Sequence, residues 1–436
     1  QADAQLPGTL ANLGSGELPN EPLPVSRRLS DMSGARSALS TGKDASLTFT
    51  ACTYVVQLRK RGADGARTKT LVESCAASVP AGEVLALLGP SGAGKTTLLN
   101  MLTLERSGGQ PSGCITLNGH PFTKQAYQRH ACYVTQTDQL WPFPTAREHL
   151  EFAAALYQPH ATAAERVRFV RQLLKETGLE VCQETRAGNE FFKGLSGGQK
   201  RRLSLGIALC KKPSVVFLDE PTSGLDAASA ASIMHFLKET AARMHIAIVC
   251  TVHQPSTSVF GGFDKVAFLT GGRFCYVGSA SEVPAYVDSV GRPLPPNSNP
   301  ADFMLDLINR DFSEGTVVDH MLSEWASRAP EVEHEAETEL FEPPDQSFCA
   351  QVRWLASKHL LLVARDPMIY SGRALSNAVS VSFFAVIYIR TRDMEQTQVF
   401  NRTFFCFWIT AVPASFGVVA VLQQYYELLL VRREVK

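Results

Sequence analysis

Residues 89–96 have the residue types and spacing of a phosphate-binding loop. They read GPSGAGKT, after the apolar run EVLALL and before TLLNML, which has the apolar spacing of a helix. Glycines let the backbone curl so that successive N–H groups face phosphate oxygens with no Cβ in the way. A strand, a glycine loop and a helix in that order are the context in which this motif binds a nucleotide. The predicted phosphate contacts are Gly89, Pro90, Ser91, Gly92, Ala93, Gly94, Lys95, Thr96 and Thr97.

Four side chains supply the charge and the ligands for phosphate chemistry. Lys95 places an ammonium on the phosphates, and the Thr96 hydroxyl is a predicted ligand of Mg²⁺. The apolar run VVFLDE, residues 215–220, indicates a buried strand that ends in two carboxylates. Asp219 is predicted to hold Mg²⁺ directly or through water. Glu220 is predicted to accept a proton from an attacking water, which contributes roughly 10²–10⁴ in rate. The sequence therefore predicts nucleotide hydrolysis.

A second glycine segment precedes a basic, amphipathic helix. Residues 194–210 read GLSGGQKRRLSLGIALC, and the N–H groups at the start of such a helix bind anions. The chain therefore has two segments suited to phosphate, far apart in sequence. The loop at residues 89–96 already serves one nucleotide, so the second segment needs a separate explanation.

Composition bounds the class of protein. The chain has 436 residues, with 42 basic against 42 acidic side chains, which is long enough for two or three domains. A formal net charge of zero does not favour nucleic acid as a partner. The ten cysteines form no C-x-x-C pair, which argues against a disulfide framework and a zinc site. Near-continuous apolar strands alternate with helices, which predicts a parallel α/β sheet covered on both faces.

Composition shifts divide the chain into four predicted segments. Residues 1–46 are rich in Pro, Gly and Ser and lack the apolar core of a secretory signal, so we expect a disordered leader. Residues 47–310 form the predicted nucleotide-binding domain, and the strongly acidic residues 311–346 a solvated linker. Residues 347–436 begin a predicted all-α membrane domain.

The last segment contains three predicted helices. Residues 348–367 carry apolar positions at helical spacing with basic residues opposite, as in a helix at a membrane interface. Residues 371–390 and 403–426 are the predicted spans. The charge-free part of the first, residues 374–389, is short for a span, and a buried core helix is the alternative. Arginines at its two ends can reach the interface, which favours the membrane.

The motifs occur in one informative order. The phosphate loop comes first, followed by LSGGQ at residues 195–199, the strand VVFLDE, SGLD at residues 223–226 and the histidine of TVHQPS. In this order they resemble the ATPase of an ABC transporter, and the resemblance covers roughly residues 48–436. It implies an α/β P-loop NTPase fold with a helical subdomain, and the cofactors ATP and Mg²⁺.

The resemblance also implies roles for three isolated residues. Gln136, in YVTQTDQLWP, matches the loop that senses Mg²⁺ and contacts the membrane domain. His253 matches the switch histidine, which hydrogen-bonds the γ-phosphate. Asp226 matches a loop that crosses to the other monomer.

The second glycine segment is explained by the same resemblance, because in this family each ATP is clamped between two subunits. One subunit's signature segment then binds the ATP held by the partner's phosphate loop, through N–H groups and about half a positive charge at the helix start. ATP would join the dimer, and hydrolysis would release it. The implied contacts are Ser196, Gly197, Gly198 and Gln199.

TVHQPS, FDKVAFLTGGRFCYVGSA and NSNPADFMLDLINRD also resemble the G-type subfamily, the White/Brown and pleiotropic-drug-resistance group. Because Lys95, Gln199, Glu220 and His253 are all present, the resemblance favours a half transporter that pairs with a second half as a homo- or heterodimer. It implies a multi-pass integral membrane protein with a cytosolic ATPase domain, exporting a lipid or another hydrophobic small molecule across the bilayer. Half transporters of this group have six spans, so a chain with two predicted spans is expected to be truncated.

Two alternatives remain open at the level of the sequence. One is a soluble-type ABC ATPase acting on ribosomes or DNA, against which the apolar residues 403–426 and the zero net charge speak. The other is a non-transporting regulatory fragment that pairs with an intact half transporter and blocks it. Tyr54 is a further open position, since it could stack on adenine or be an ordinary sheet tyrosine.

Overall fold

The structure is a computed structural model that describes residues 46–57, 67–105, 108–189, 192–310, 315–328, 348–365, 373–387 and 399–415. Residues 1–45 of the predicted leader lie outside the described residues. The strands are β1 (Ser46–Gln57), β2 (Thr68–Pro80), β3 (Val84–Leu88), β4 (Gly109–Leu117), β5 (His120–Pro121), β6 (Ala131–Val134), β7 (Val215–Asp219), β8 (Ala247–Thr251), β9 (Lys265–Thr270) and β10 (Arg273–Ser279).

The described helices surround these strands and continue after them. They are α1 (Lys95–Leu102), α2 (Lys124–His130), α3 (Ala146–Tyr157), α4 (Ala163–Glu176), α5 (Gly197–Leu209), α6 (Ala227–Met244), α7 (Thr257–Phe260), α8 (Val283–Ser289), α9 (Pro300–Ile308), α10 (Gly315–Arg328), α11 (Phe348–Arg365), α12 (Arg373–Ile387) and α13 (Val399–Ser415).

Two sheets organise the nucleotide-binding domain. An antiparallel sheet has the strand order β2-β1-β4-β5, and a six-stranded sheet has the order β10-β9-β3-β8-β7-β6. In the larger sheet β9, β3, β8, β7 and β6 run parallel, while β10 pairs antiparallel with β9. The parallel α/β sheet predicted from the sequence is therefore confirmed.

The central strands are apolar without alternation because both of their faces are covered. All five residues of β3 and all five of β8 are buried. From α1, Leu98, Leu99 and Leu102 pack in the same core with no exposed surface, and burying one leucine contributes about 1.5–3 kcal/mol. The parallel register brings the carboxyl ends of β3, β6, β7 and β8 to one edge of the sheet. The loops that carry the motifs follow these strand ends.

A helical subdomain lies between β6 and β7 in the chain and consists of α3, α4 and α5. Its first two helices each begin with a capping box, Thr145 with Glu148 and Thr162 with Glu165. In each box the threonine hydroxyl and the glutamate carboxylate satisfy N–H groups that the helix leaves without partners. The helical subdomain implied by the ABC resemblance is present.

The predicted acidic linker contains a helix that packs on the ATPase domain. On α10, Val318, Met321 and Leu322 are buried, and the Trp325 ring lies 5.5 Å from that of Tyr276. A solvated linker is therefore wrong for residues 315–328. The excess of acidic residues conceals an apolar stripe at three- and four-residue spacing, which is the spacing of one helix face. Residues 311–314 and 329–346 of the predicted linker lie outside the described residues.

The three predicted C-terminal helices are present as α11, α12 and α13, and α11 packs against α3 of the helical subdomain. α12 and α13 contact each other through the stacked rings of Phe384 and Trp408, 5.3 Å apart. Among the helices that the structure describes, none combines the length and the apolar character needed to cross a membrane. The predicted spans, residues 371–390 and 403–426, extend beyond the described residues of α12 and α13.

Candidate functional site: a nucleotide-binding edge

The phosphate loop connects β3 to α1 and depends on glycine where the backbone is crowded. A Cβ at residue 89 would lie 2.2 Å from the carbonyl oxygen of Leu269, and one at residue 94 would lie 2.8 Å from that of Leu71. Gly94 also has a φ of 107° and directly precedes the first residue of α1. The loop is thus held against β2 and β9, with its N–H groups at the start of a helix, where phosphate binds.

Lys95 lies inside this loop. Its side chain is 8% exposed, and Nζ donates hydrogen bonds to the carbonyl oxygens of Gly89 at 2.7 Å and Pro90 at 3.0 Å. Burial lowers the pKa of the Lys95 ammonium, while the nearby carboxylates of Glu220 and Asp219 oppose that shift. The Glu220 and Asp219 carboxylates therefore lie near enough to the Lys95 ammonium to act on it electrostatically.

Asp219 ends β7 and has both of its carboxylate oxygens hydrogen-bonded. The Thr251 hydroxyl donates to Oδ1 at 2.6 Å, and the Tyr133 hydroxyl donates to Oδ2 at 3.3 Å. Burial raises the pKa of Tyr133, and Asp219 raises it further, so the phenol stays a donor. These contacts fix the orientation of the carboxylate predicted to hold Mg²⁺.

Glu220 follows immediately, in a left-handed backbone conformation with φ of 46°. Its N–H donates to the Thr251 hydroxyl at 2.9 Å, and its Oε2 accepts a hydrogen bond from Nε2 of Gln136 at 2.7 Å. A non-glycine residue with this φ persists only where the surroundings impose it. The structure thus brings Lys95, Gln136, Asp219 and Glu220 together at one sheet edge.

His253 lies two residues beyond β8 on an exposed loop. It lines a cleft of about 450 Å³ that also includes Glu220, Ser223 and Gly224. Asp226 is the N-cap of α6, where its carboxylate accepts a hydrogen bond from the Ser229 N–H at 3.1 Å. The side-chain and backbone hydrogen bonds of Ser229 lower the pKa of Asp226.

The signature segment forms the start of α5. Ser196 is its N-cap: the Gln199 N–H donates to Ser196 Oγ at 3.3 Å, and the Ser196 N–H donates to Gln199 Oε1 at 2.9 Å. The Ser196 N–H, which the resemblance predicts to face phosphate, thus donates its hydrogen bond to Gln199 at the start of the helix. Gly197 and Gly198 lie in the first turn, whose N–H groups have no acceptor within the helix.

These residues form two separate groups within the chain. Gly197 lies beside Leu225, and Gly198 beside Ser229, so the signature is next to the loop that ends at Asp226. In the described part of the chain, no hydrogen bond joins the signature to the phosphate loop. Tyr54 belongs to neither group, since it is buried in the sheet and its hydroxyl accepts a hydrogen bond from the Gly109 N–H at 2.9 Å.

Two buried polar residues were not predicted from the sequence. Thr251 contacts both Asp219 and Glu220, and Arg201 on α5 donates hydrogen bonds to the carbonyl oxygens of Thr135 and Gln136. Thr251 could have been predicted, because it is a threonine at the end of the apolar strand AIVCT. Arg201 could not have been predicted, because it lies in the basic run KRR, and such a run usually faces solvent.

α11 contacts the helical subdomain through charged groups. Arg365 donates two hydrogen bonds to the Glu148 carboxylate, at 2.7 and 2.9 Å. Lys358 lies over the Trp141 ring at 5.1 Å, and Arg166 lies over the ring of Trp354. Burial alone would raise the pKa of Glu148, but the hydrogen bonds from Arg365 and from the Thr145 backbone hold it below its ordinary value.

Two family models match parts of the chain before α11. A family model described as ABC transporter matches residues 72–223, and one described as ABC-2 type transporter matches residues 253–327. The second match indicates a membrane domain. Among solved structures, cbiO1 from Clostridium perfringens, part of the ABC transporter complex cbiONQ, is 24% identical with a TM-score of 0.47, covering 60% of this chain and 99% of its own.

Curated relatives narrow the family. ABC transporter G family member 22 of Dictyostelium discoideum is 35% identical over 304 residues, which are 68% of this chain and 48% of that protein. ABC transporter G family member 7 of Arabidopsis thaliana is 40% identical over 253 residues, 57% of this chain and 34% of that protein. The chain thus spans less than half the length of each of these relatives. The family models and the G family relatives support a G-type ABC transporter, and the motif residues at the sheet edge agree with its ATPase domain.

Proposed function

We propose that the chain binds ATP with Mg²⁺ and hydrolyses it between two nucleotide-binding domains. As one half of a dimeric G-type transporter, it then drives export of a hydrophobic small molecule or lipid. The observation that carries the proposal is the convergence of Lys95, Asp219, Glu220 and Gln136 beside the phosphate loop.

The donor set at this edge suits Mg²⁺. The Thr96 hydroxyl, the Asp219 carboxylate and the amide oxygen of Gln136 are hard oxygen ligands of the kind Mg²⁺ prefers, and Thr251 and Tyr133 hold the Asp219 carboxylate in place. When bound, the ion neutralises charge that develops on the phosphate oxygens. Lys95 and the loop N–H groups supply the remaining positive potential.

Glu220 has the position of a general base. Its carboxylate lies beyond the strand end, and Gln136 holds one of its oxygens through a hydrogen bond of 2.7 Å. The other oxygen accepts the proton of the attacking water, and His253, lining the same cleft, donates to the γ-phosphate. Such a base is worth roughly 10²–10⁴ in rate.

A dimer follows from the separation of the two phosphate segments. Gly197 is exposed at the start of α5, and the first N–H groups of a helix bind an anion supplied from outside the helix. The exposed residues Ser223, Gly224, Asp226 and His253 lie on the same side as the catalytic cleft. A second subunit that presents its own ATP to Gly197 and Gly198 accounts for both observations.

The path from this site to a membrane domain is supported by α11. Gln136 begins a segment that continues through Trp141 to the start of α3, and α11 contacts this segment at Trp141 and at Glu148. Movement of the Gln136 loop would therefore reach α11 through two contacts. This arrangement supports transport rather than a soluble ATPase.

A Glu220→Gln substitution tests the chemistry. The wild type should hydrolyse ATP only with Mg²⁺, and the variant should lose about 10²–10⁴ in kcat while ATP binding remains. The matched control is Glu239→Gln, an exposed glutamate on α6 that pairs with His235, which should leave kcat unchanged. Full hydrolysis by the Glu220 variant would contradict the assignment.

The same variant tests the dimer. Glu220→Gln protein mixed with ATP should sediment at twice the monomer mass, and should return to monomer when ATP is removed. Persistent monomer at saturating ATP would count against the clamp between two subunits. Alkaline extraction of membranes separates the transporter from the soluble-type ATPase, because release into the supernatant would favour the soluble type.

A further inference from the structure

We propose that Arg201 is a positioning residue that couples the signature helix α5 to the Gln136 loop. This inference rests on the proposed ATP hydrolysis, in which Gln136 and Glu220 act at one site while the start of α5 binds ATP at the other. Arg201 then makes the geometry around Glu220 depend on the position of α5.

The first step of the argument is the surroundings of the Arg201 guanidinium. The residue is 3% exposed. Nη1 donates to the carbonyl oxygen of Thr135 at 2.8 Å and lies 3.3 Å from Oδ1 of Asp138, and Nη2 donates to the carbonyl oxygen of Gln136. One buried cation thus hydrogen-bonds two carbonyl groups and forms an ion pair with one carboxylate, all within four consecutive residues of one loop. A buried charge is stable only when it is paired and hydrogen-bonded in this way.

The second step is what that loop does. The two carbonyl groups that Arg201 binds flank the Cα of Gln136, so the guanidinium fixes the backbone from which the Gln136 side chain leaves. That side chain donates to Glu220 Oε2 at 2.7 Å. A displacement of the backbone would change this contact, because the Gln136 amide is carried by that backbone and already lies at hydrogen-bonding distance from Glu220.

The third step is the place of Arg201 on α5. It lies four residues after Gly197, which is about one helical turn, so it moves with the start of the helix. Arg202, its neighbour, donates to the Ser232 hydroxyl of α6 at 2.7 Å. Adjacent arginines therefore connect the signature helix to the Gln136 loop and to the helix that Asp226 caps.

Two measurements test the coupling. Arg201→Lys keeps the charge and loses the planar, multiply donating geometry. In nucleotide-free protein, the backbone amides of residues 135–138 should exchange with solvent about tenfold faster in this variant. With Mg²⁺ and ATP, kcat should fall by about 10–100-fold with the KM for ATP changed less than about twofold.

A double-mutant cycle distinguishes positioning from general stabilisation. If Arg201 acts through Gln136, then Arg201→Lys should lower kcat in the wild type and have no further effect in a Gln136→Ala background. An equal loss in both backgrounds, or unchanged exchange of residues 135–138, would overturn the proposal. Arg243→Lys is the matched control, because Arg243 pairs with the buried carboxylate of Glu176 away from the site, and it should alter neither readout.

The exchange measurement needs no ATP. If the wild type proves not to hydrolyse ATP, the proposed function fails. The exchange of the Gln136 loop then still decides whether Arg201 holds that loop.

Discussion

The sheet edge and the helix α11 hold their functional side chains in different ways. At the edge, Asp219, Glu220 and the phosphate loop leave strands whose residues are buried on both faces, and the loops are fixed by short hydrogen bonds and backbone contacts. α11 lies on the surface of the helical subdomain, where Arg365 contacts Glu148, Lys358 lies over Trp141 and the Leu362 side chain is buried. Leu360 on the same helix is 70% exposed.

This difference distinguishes the residues proposed for ATP hydrolysis from those proposed to couple the site to a membrane domain. The catalytic geometry is supported by the core, so disturbing it costs folding free energy as well as activity. The described contacts of α11 combine a partly exposed ion pair, which contributes about 1 kcal/mol or less, with the buried Leu362. Moving α11 is therefore expected to cost less folding free energy than disturbing the sheet edge.

The largest expected effect comes from crowding the edge. Gly89→Ala would place a Cβ 2.2 Å from the Leu269 carbonyl oxygen, so the free energy of unfolding should fall by about 3 kcal/mol or more. Gly92→Ala is the matched control: its φ of 76° is strained for alanine, but no atom lies within 4 Å of its Cβ, so about 1–2 kcal/mol is expected. Equal losses in denaturant titrations would show that the loop is not held by the sheet.

An intermediate effect is expected at Thr251, which is buried and joins the two carboxylate residues. Thr251→Val removes the hydroxyl with little change of shape, leaving the Glu220 N–H and an Asp219 oxygen without this partner, a loss of about 1–3 kcal/mol. We expect kcat to fall about tenfold and the Mg²⁺ concentration for half-maximal activity to rise. Thr251→Ser keeps the hydroxyl and should restore both, and a serine variant as impaired as the valine variant would contradict this role.

The smallest effect is expected at α11. Arg365→Gln removes the hydrogen bonds to Glu148 and should lower the free energy of unfolding by about 1 kcal/mol. Because Arg365 and Thr145 lower the pKa of Glu148 below its ordinary 4.5, this contribution is present above pH 4.5 and is lost as the pH falls through the lowered pKa. The difference between wild type and variant should therefore be full at pH 7 and vanish in acid.

Arg147→Gln provides the comparison for that measurement. Arg147 pairs with Glu184 at 3.0 Å, with side chains 45% and 61% exposed, so its loss should be too small to resolve. If both variants lose the same free energy at pH 7, the Arg365 pair has no special role in docking α11.

The sequence predicted the edge better than the surroundings of the edge. Asp219 and Glu220 follow the end of an apolar strand, and Lys95 lies in a glycine loop between an apolar strand and a helix, so local pattern alone indicates their position. Arg201 could not be found this way, since its acceptors lie 66 and 65 residues earlier in the chain and its neighbours in sequence are basic. The partners Arg365 and Glu148 are 217 residues apart, beyond any periodicity.

At α10 the prediction was wrong because it relied on acidic composition and not on the helical spacing of the apolar residues. An acidic segment is usually solvated, yet Val318, Met321, Leu322 and Trp325 recur on one helix face, and that face is covered. The charged side chains can stay in water on the opposite face, so burying three apolar side chains and part of Trp325 stabilises the packed helix. Net charge alone therefore misjudges segments whose charges and apolar residues lie on different faces.

The Glu148 carboxylate takes part in two structures, the capping box of α3 and the contact with α11. Its Oε2 accepts the Thr145 N–H at 2.8 Å, closing the capping box of α3, and the same atom accepts a hydrogen bond from Arg365 at 2.7 Å. A displacement of Arg365 with α11 would consequently act on the first turn of α3 through this carboxylate. Yielding there would uncap the helix, at a cost of about 1 kcal/mol, and would leave the hydrophobic contacts of the subdomain unbroken.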